Sequence, residues 1–294
     1  MQNPESVQDR QERLSLFPGC EGAVWLHENL PSRLSQHRIH RHDEIEFNLV
    51  VEGTASYLLS DGADSASARR QEIRPGTLIW LFPAQDHVLL QKSADFSMWI
   101  LVASPGLCSR ACTTESALPL TRSGSPPRIT AQFSEQRSAH LRSVLHTLSQ
   151  GWTHSDTAWL NTGIAYALLT AWRLYQDSQE DSTGTPVHPA VHRAAHLLRT
   201  ETEPMPLEIL SCRVGLSPAR LSRLFAAQTG QSITEFRNCR RMDRFLERFD
   251  RTADAGQPTP SLLEMALEVG FGSYAQFYRV FREQFGYAPG DHQR

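Results

Sequence analysis

Arg223 and Arg279 occupy matching places in two stretches of the chain that copy one another. Val214-Gly215-Leu216-Ser217-Pro218-Ala219-Arg220-Leu221-Ser222-Arg223-Leu224-Phe225, closing at Gly230, is echoed by Val269-Gly270-Phe271-Gly272-Ser273-Tyr274-Ala275-Gln276-Phe277-Tyr278-Arg279-Val280-Phe281, closing at Gly286. A guanidinium two residues before a phenylalanine in each copy can fork its donors onto a guanine or a phosphate, stack on its own helix, or pair with an acid. A second series, Arg237, Arg241, Arg244 and Arg248, recurs at three- and four-residue steps and so shares one helix face, suited to a row of phosphates or to plain solvent. A different chemistry gathers in the first third of the chain. His40, His42 and Glu46 fall on one face of a strand by period-two alternation, and His87 comes later. Glu46 can hydrogen-bond a sugar hydroxyl, while His42 and His87 can line an organic-ligand pocket beside Trp80, Phe82 and Trp99.

The elements that must position the arginines are short helices joined by tight turns. In each copy an apolar helix ends at a glycine, a serine caps the next helix, and that second, amphipathic helix carries the arginine. Leu221, Leu224 and Phe225 form the packed side of the first such helix, leaving Ala219, Arg220, Ser222 and Arg223 outward. In the second, Phe277, Val280 and Phe281 face in, while Tyr274, Ala275, Tyr278 and Arg279 face out. This is the pattern of a helix-turn-helix written twice, with outward residues placed to meet a DNA groove. The flanking pattern predicts helices over Pro189 to about Thr200, Pro206 to Val214, and a long one from about Ile233 to Asp250. A polar loop, Thr252 to Pro260, precedes Leu262 to Val269.

The histidine and glutamate side chains sit instead in a strand-rich region. From about Glu21 to Ala103 the runs Ile45 to Val51, Tyr57 with Leu59, Leu78 to Phe82 and Phe96 to Val102 are broken by turn residues, predicting an all-β sandwich or small barrel. Asp61 to Arg70 reads as a hairpin loop, and 104–132 as irregular. Leu141, Val144, Leu145 and Leu148 then form one apolar helix stripe. Trp159, Leu160, Ile164, Ala167, Leu168, Ala171, Trp172 and Tyr175 form a wider one, to be covered by the β region or by a second copy in a homodimer. The polar run 179–186 reads as an interdomain linker.

Bulk properties agree with two domains in 294 residues. The formal net charge of −3 argues against a nucleic-acid binder when taken whole, but it is unevenly spread. Residues 187–294 carry 14 arginines against 12 acids, and residues 1–186 carry 15 basic against 20 acidic side chains. The five cysteines, Cys20, Cys108, Cys112, Cys212 and Cys239, show no framework spacing and read as ordinary thiols in a reducing compartment. The polar N-terminus and the lack of a membrane-length apolar run predict a soluble, cytoplasmic protein.

Residues 187–294 resemble the AraC/XylS family of bacterial transcription regulators. The likeness rests on the repeat, on Ala266-Leu267-Glu268-Val269-Gly270-Phe271, on Arg279-Val280-Phe281-Arg282, and on the closing Phe285-Gly286-Tyr287-Ala288-Pro289. It implies two recognition helices held by one long helix on the same side of double-stranded DNA, with base reading by Ala219, Arg220, Ser222, Arg223, Tyr274, Ala275, Tyr278 and Arg279 and phosphate contact by Arg241. Ala219 and Ala275 offer no hydrogen bonds, so any reading there uses thymine methyls, and the loop before the second unit is longer than the family usually has. RNA polymerase is the implied protein partner, and an activator role is carried over with it.

His40-Arg41-His42-Asp43-Glu44-Ile45-Glu46, six further residues to Gly53, and Gly76 to His87 resemble the two motifs of the cupin family of small β barrels. That likeness implies a divalent metal on His40, His42, Glu46 and His87. Three imidazoles and a carboxylate suit Zn, Ni, Mn or Fe alike. Gln85 replaces a glycine expected near the second motif, and regulators of the AraC/XylS type generally keep such a domain as a metal-free sensor. The run from Glu46 to Tyr57 and the strand Leu78 to Phe82 resemble sugar-responsive members, which implies a carbohydrate or plant-derived effector. The expected organisation is thus α+β with two domains. It comprises a tail (1–20), a cupin-like ligand-sensing domain (21–103), an irregular and helical dimerisation region (104–178), a linker (179–186) and an all-α double helix-turn-helix domain (187–294). The leading expectation is a ligand-responsive transcription factor that is not an enzyme. Its rivals are a metal-dependent oxygenase or isomerase fused to a DNA-binding tail, and a DNA-binding protein that takes no ligand.

Overall fold

A computed structural model describes residues 16–28, 42–60, 67–83, 85–122, 129–151, 156–178, 184–200, 205–254 and 260–293. Seven strands come first: β1 (Gly22–Glu28), β2 (Ile45–Glu52), β3 (Ala55–Ser60), β4 (Ala68–Ile73), β5 (Thr77–Leu81), β6 (His87–Lys92) and β7 (Ser97–Ala103). Helix α1 (Pro105–Ala111), strand β8 (Thr130–Gln132), helices α2 (Glu135–Gln150) and α3 (Thr157–Gln176), and strand β9 (Thr185–Val187) come next. One antiparallel sheet has the order β1-β7-β2-β5-β8 and the other β6-β3-β4-β9.

Alternation along the strands divides each sheet into two unlike faces. On the five-stranded sheet Phe47 pairs with Trp80 and Leu101, and Leu49 with Trp99, so these side chains share a face. That face is covered by helices, with Trp80 edge-on to Trp172 and Tyr175 of α3, and Trp99 against His146 of α2. The broad apolar stripe of α3 is therefore buried on the sheet of its own chain except for Trp159, which is exposed. The opposite face, carrying Glu46, Asn48 and Met98, looks across to Tyr57 of the four-stranded sheet.

The structure departs from the expected small barrel. Among the described residues the two sheets share no strand pairing and form an open sandwich. A strand from outside the β region occupies one edge, because β9 pairs with β4 through Ala68 opposite Val187. The end of the expected linker is thus an element of the sheet. Segment 104–132 also carries more order than expected. Ser104 caps α1 ahead of Pro105 at its first position, and β8 pairs with β5.

The C-terminal half comprises α4 (Pro189–Thr200), α5 (Leu207–Val214), α6 (Pro218–Thr229), α7 (Ile233–Asp254), α8 (Leu262–Glu268) and α9 (Tyr274–Phe285). Gly215, at φ 75°, and Gly270, at φ 96°, take the left-handed conformation that the two tight turns require. Ser217 and Ser273 then accept from the backbone N–H groups of Arg220 and Gln276, starting α6 and α9. The second unit packs on α7 through Met242, Phe245, Leu246, Met265, Phe277 and Phe281. The first unit has a different kind of core. Val191, Ala194, Leu198, Leu210, Leu221, Phe225 and Phe236 join Leu58, Ala68, Val88 and Leu90 from the outer face of the four-stranded sheet in one apolar cluster.

Candidate effector centre and nucleic-acid interface

His42, Glu46 and His87 meet between the two sheets. One ligand atom from each lies within 4.8 Å of the others, and the residues are only 2%, 5% and 4% exposed. Backbone carbonyls orient both rings. His42 Nδ1 donates to Glu44 O at 2.8 Å and His87 Nδ1 to Gln85 O at 3.0 Å, and because a carbonyl only accepts, the proton on each ring sits at Nδ1. Both Nε2 atoms thereby face the centre, as in histidines that bind metal, where that of His42 is hydrogen-bonded to the Glu46 carboxylate. Glu46 Oε2 lies 3.2 Å from His42 Nε2, while Oε1 accepts from Asn48 Nδ2 at 2.8 Å. Asn48 in turn reaches Tyr57 Oη at 3.0 Å.

Electrostatics separate the two histidines. Burial lowers the pKa of His87 to about 4, so it is neutral above that pH and keeps a lone pair on Nε2. Burial also opposes charge on His42, but the Glu46 and Glu44 carboxylates outweigh it and raise its pKa. Burial raises the pKa of the Tyr57 phenol well above its usual value, with the Glu46 charge adding to this. Two imidazole nitrogens and one supported carboxylate oxygen are a donor set that fits a divalent transition metal. His40, the fourth residue of the expected set, lies outside the described residues.

The tryptophans expected beside this centre are elsewhere. Trp80 and Trp99 are buried on the opposite face of the five-stranded sheet, against α3 and α2, because they sit on the other parity of their strands. Phe82 is buried just past the end of β5, where its N–H donates to Gln85 Oε1. Neither tryptophan joins the His42, Glu46 and His87 centre. Asn48 and Tyr57, which sequence reasoning missed, do support it; Asn48 stands two residues beyond Glu46 on the same strand face, a signal that could have found it.

The candidate DNA-facing residues remain at the surface. Ala219, Arg220, Arg223, Tyr274, Ala275 and Arg279 are exposed, and Ser222 and Tyr278 are partly so. Arg223 Nε reaches back to Ala219 O at 3.4 Å along its own helix, whereas Arg279 makes no ion pair or hydrogen bond among the described residues. The arginine face of α7 is more engaged than expected. Arg237 donates to Met205 O beside the first unit, and Arg241 donates to Asn238 Oδ1 at 3.0 Å. Asn238 also receives Gln276 of α9, and Arg248 pairs with Glu268 of α8 at 2.6 Å. These side chains bind the two units to the helix between them.

Residues 210–294 match a family model described as a helix-turn-helix domain, which takes in both units. The C-terminal region is an AraC-type helix-turn-helix domain. The chain is 25% identical over 289 residues to the uncharacterized HTH-type transcriptional regulator YfiF of Bacillus subtilis strain 168, covering 95% of this chain and 84% of that one. ToxT from Vibrio cholerae O395 aligns over 93% of both chains at 14% identity with a TM-score of 0.36. The AraC-like transcriptional activator CuxR aligns over 76% of this chain and 73% of its own at 16% identity, with a TM-score of 0.32. No described helix beside the AraC-type domain or within it is long and apolar enough to cross a membrane.

Proposed function

We propose that this AraC-type transcriptional regulator reads duplex DNA with α6 and α9 and is controlled by a divalent metal ion held by His42, Glu46 and His87. The observation that carries the effector half is the convergence of three buried donors, two of them imidazoles whose Nδ1 protons are already committed to backbone carbonyls and the third a carboxylate held by Asn48. A carbohydrate effector has less support, because Trp80 and Trp99, the rings on which a sugar would stack, lie on the helix-covered face. An enzyme with an exchanging organic substrate is also less well supported, since the burial of all three donors suits an ion. The metal would supply positive charge that cross-links strands β2 and β6 through their side chains.

The exposed residues of α6 and α9 support reading by both units, with RNA polymerase the partner that turns binding into regulation. Trp159 and Tyr166, 44% and 55% exposed on the side of α3 away from the sheet, are the surface through which two copies would pair. Equilibrium dialysis against zinc(II), with metal analysis and fluorescence titration of a duplex selected from a random pool, tests the reading. Near-stoichiometric zinc in the wild type and its loss in Glu46→Gln and His87→Ala are expected. Equal zinc content in all three proteins would sink the assignment.

A further inference from the structure

The strand β6 carries two chemistries back to back. His87 and Leu89 point between the sheets, whereas Asp86, Val88 and Leu90 alternate to the outer face, where Val88 and Leu90 enter the core of the first helix-turn-helix unit. Asp86 faces α4 there. Its Oδ1 accepts from Arg199 Nη1 at 2.9 Å, and its Oδ2 lies 3.4 Å from His196 Nδ1. The Arg199 and Asp86 side chains are 10% and 13% exposed, so the pair is shielded from solvent. One peptide unit therefore separates a side chain of the buried centre from a side chain that grips the DNA-binding domain.

The segment between these groups is held stiffly. Asp86 N donates to Ser60 Oγ, Ser60 N donates to Asp86 O, and Gln85 Nε2 donates to Ser60 O, each at 2.9 Å. His87 Nδ1 closes the loop on Gln85 O. A stiff segment pinned at both sides moves as one piece, so a displacement of the His87 ring is passed to the Asp86 carboxylate instead of being absorbed locally. Arg199 lies in the last turn of α4, whose Val191, Ala194, Ala195 and Leu198 share a core with Leu221 and Phe225 of the recognition helix α6. Other cross-domain contacts, Arg70 Nη1 to Gln228 O at 3.4 Å and Gln91 to Gly230 O, reach the far end of α6.

We propose that the Asp86 carboxylate, gripped by Arg199 and His196, is the latch through which the state of the His42, Glu46 and His87 centre reaches the first helix-turn-helix unit. The proposal rests on the functional reading above for the identity of the signal, and on the geometry of β6 alone for its route. Occupancy of the centre changes the fit of α4 to the four-stranded sheet, and by linkage DNA bound at α6 changes affinity at the centre by the same factor. The second unit has a separate core built on α7, so the signal reaches it along that helix.

The test uses the full chain, zinc(II) as the probe ion, and a fluorescein-labelled duplex selected from a random pool with the wild-type protein. Zinc is expected to change wild-type duplex affinity by about tenfold, a common size for coupling between sites. Asp86→Asn and Arg199→Gln, which open the latch from either side, are expected to bind zinc like the wild type in chelator competition yet to lose that response, leaving under about twofold. A wild-type-sized response in either folded variant overturns the latch, as does zinc that binds the wild type without altering duplex affinity. If zinc does not bind at all, the metal reading fails and the latch is judged separately. His87→Asn is then expected to raise hydrogen exchange in residues 190–199 of the wild-type background but not of Asp86→Asn. An unchanged exchange pattern in α4 overturns the proposal.

Discussion

At the scale of single residues the centre is an ordered set of hydrogen bonds in which each polar atom limits its neighbour. Glu46 can offer Oε2 to the centre because Asn48 satisfies Oε1, and Asn48 is itself placed by Tyr57. Outer partners of this kind hold ligand orientation, so Asn48→Ala is expected to weaken zinc binding by about 10–100-fold in chelator competition. Unchanged affinity would show that the carboxylate needs no such support. On the DNA side, Arg279 is exposed and uncommitted among the described residues, ready for a bidentate contact. Arg279→Ala should lower discrimination at one base pair by about 1–3 kcal/mol, read by competition among single-substitution duplexes. Full retention of sequence preference would remove Arg279 from base reading. The side chains on α6 and α9 were legible from helical period alone. Trp80 and Trp99 were not placed correctly, because alternation separates two faces of a strand without saying which one the helices will cover.

Helix α7 is the element that makes two small units into one domain. Its apolar positions build the second unit's core, while Arg237, Asn238, Arg241 and Arg248 fasten the segment before α5, the start of α9 and α8. Arg241 lies beside Gly270 at the second turn, so its loss disturbs the seat of α9 as well as any phosphate contact. Arg241→Ala is therefore expected to weaken all duplexes alike in the same competition; a change confined to one base pair would contradict this. The turn of the first unit gives a cleaner backbone test. A Cβ at Gly215 would meet nothing within 4 Å, so Gly215→Ala carries only the left-handed backbone penalty, about 1–2 kcal/mol in denaturant unfolding. A neutral effect would mean the turn relaxes to another conformation.

Across the whole molecule the division into a strand-rich half and a helix-turn-helix half does not coincide with the apolar cores. The first helix-turn-helix unit shares its core with the outer face of the four-stranded sheet, β9 adds a strand to that sheet, and Asp86 ties α4 to β6. The second unit has a core of its own. Local opening tracks the packing of contiguous units, so amides of α8 and α9 should exchange with a lower opening free energy than those of α4 and α6. Native-state hydrogen exchange measures this. Equal opening free energies across both units would mean that α7 couples them into a single cooperative body. On the proposed route this division lets control reach α6 directly and α9 along α7.

Local chemistry in the sequence sufficed for the repeat, the serine caps and the alternating strands, since each is written in spacing or in near neighbours, whereas His87 was joined to His42 and Glu46 by the resemblance to cupins and the long helix α7 runs past its expected end to Asp254. Only the tertiary structure decided that the β region is an open sandwich, that the end of the linker is a strand, and that Asp86 meets Arg199 across 113 positions of chain. The physical reason is the same in each case. Period and capping act within a few residues, whereas the choice of covered face and of distant ion partner depends on the joint burial of surfaces that lie far apart in the chain.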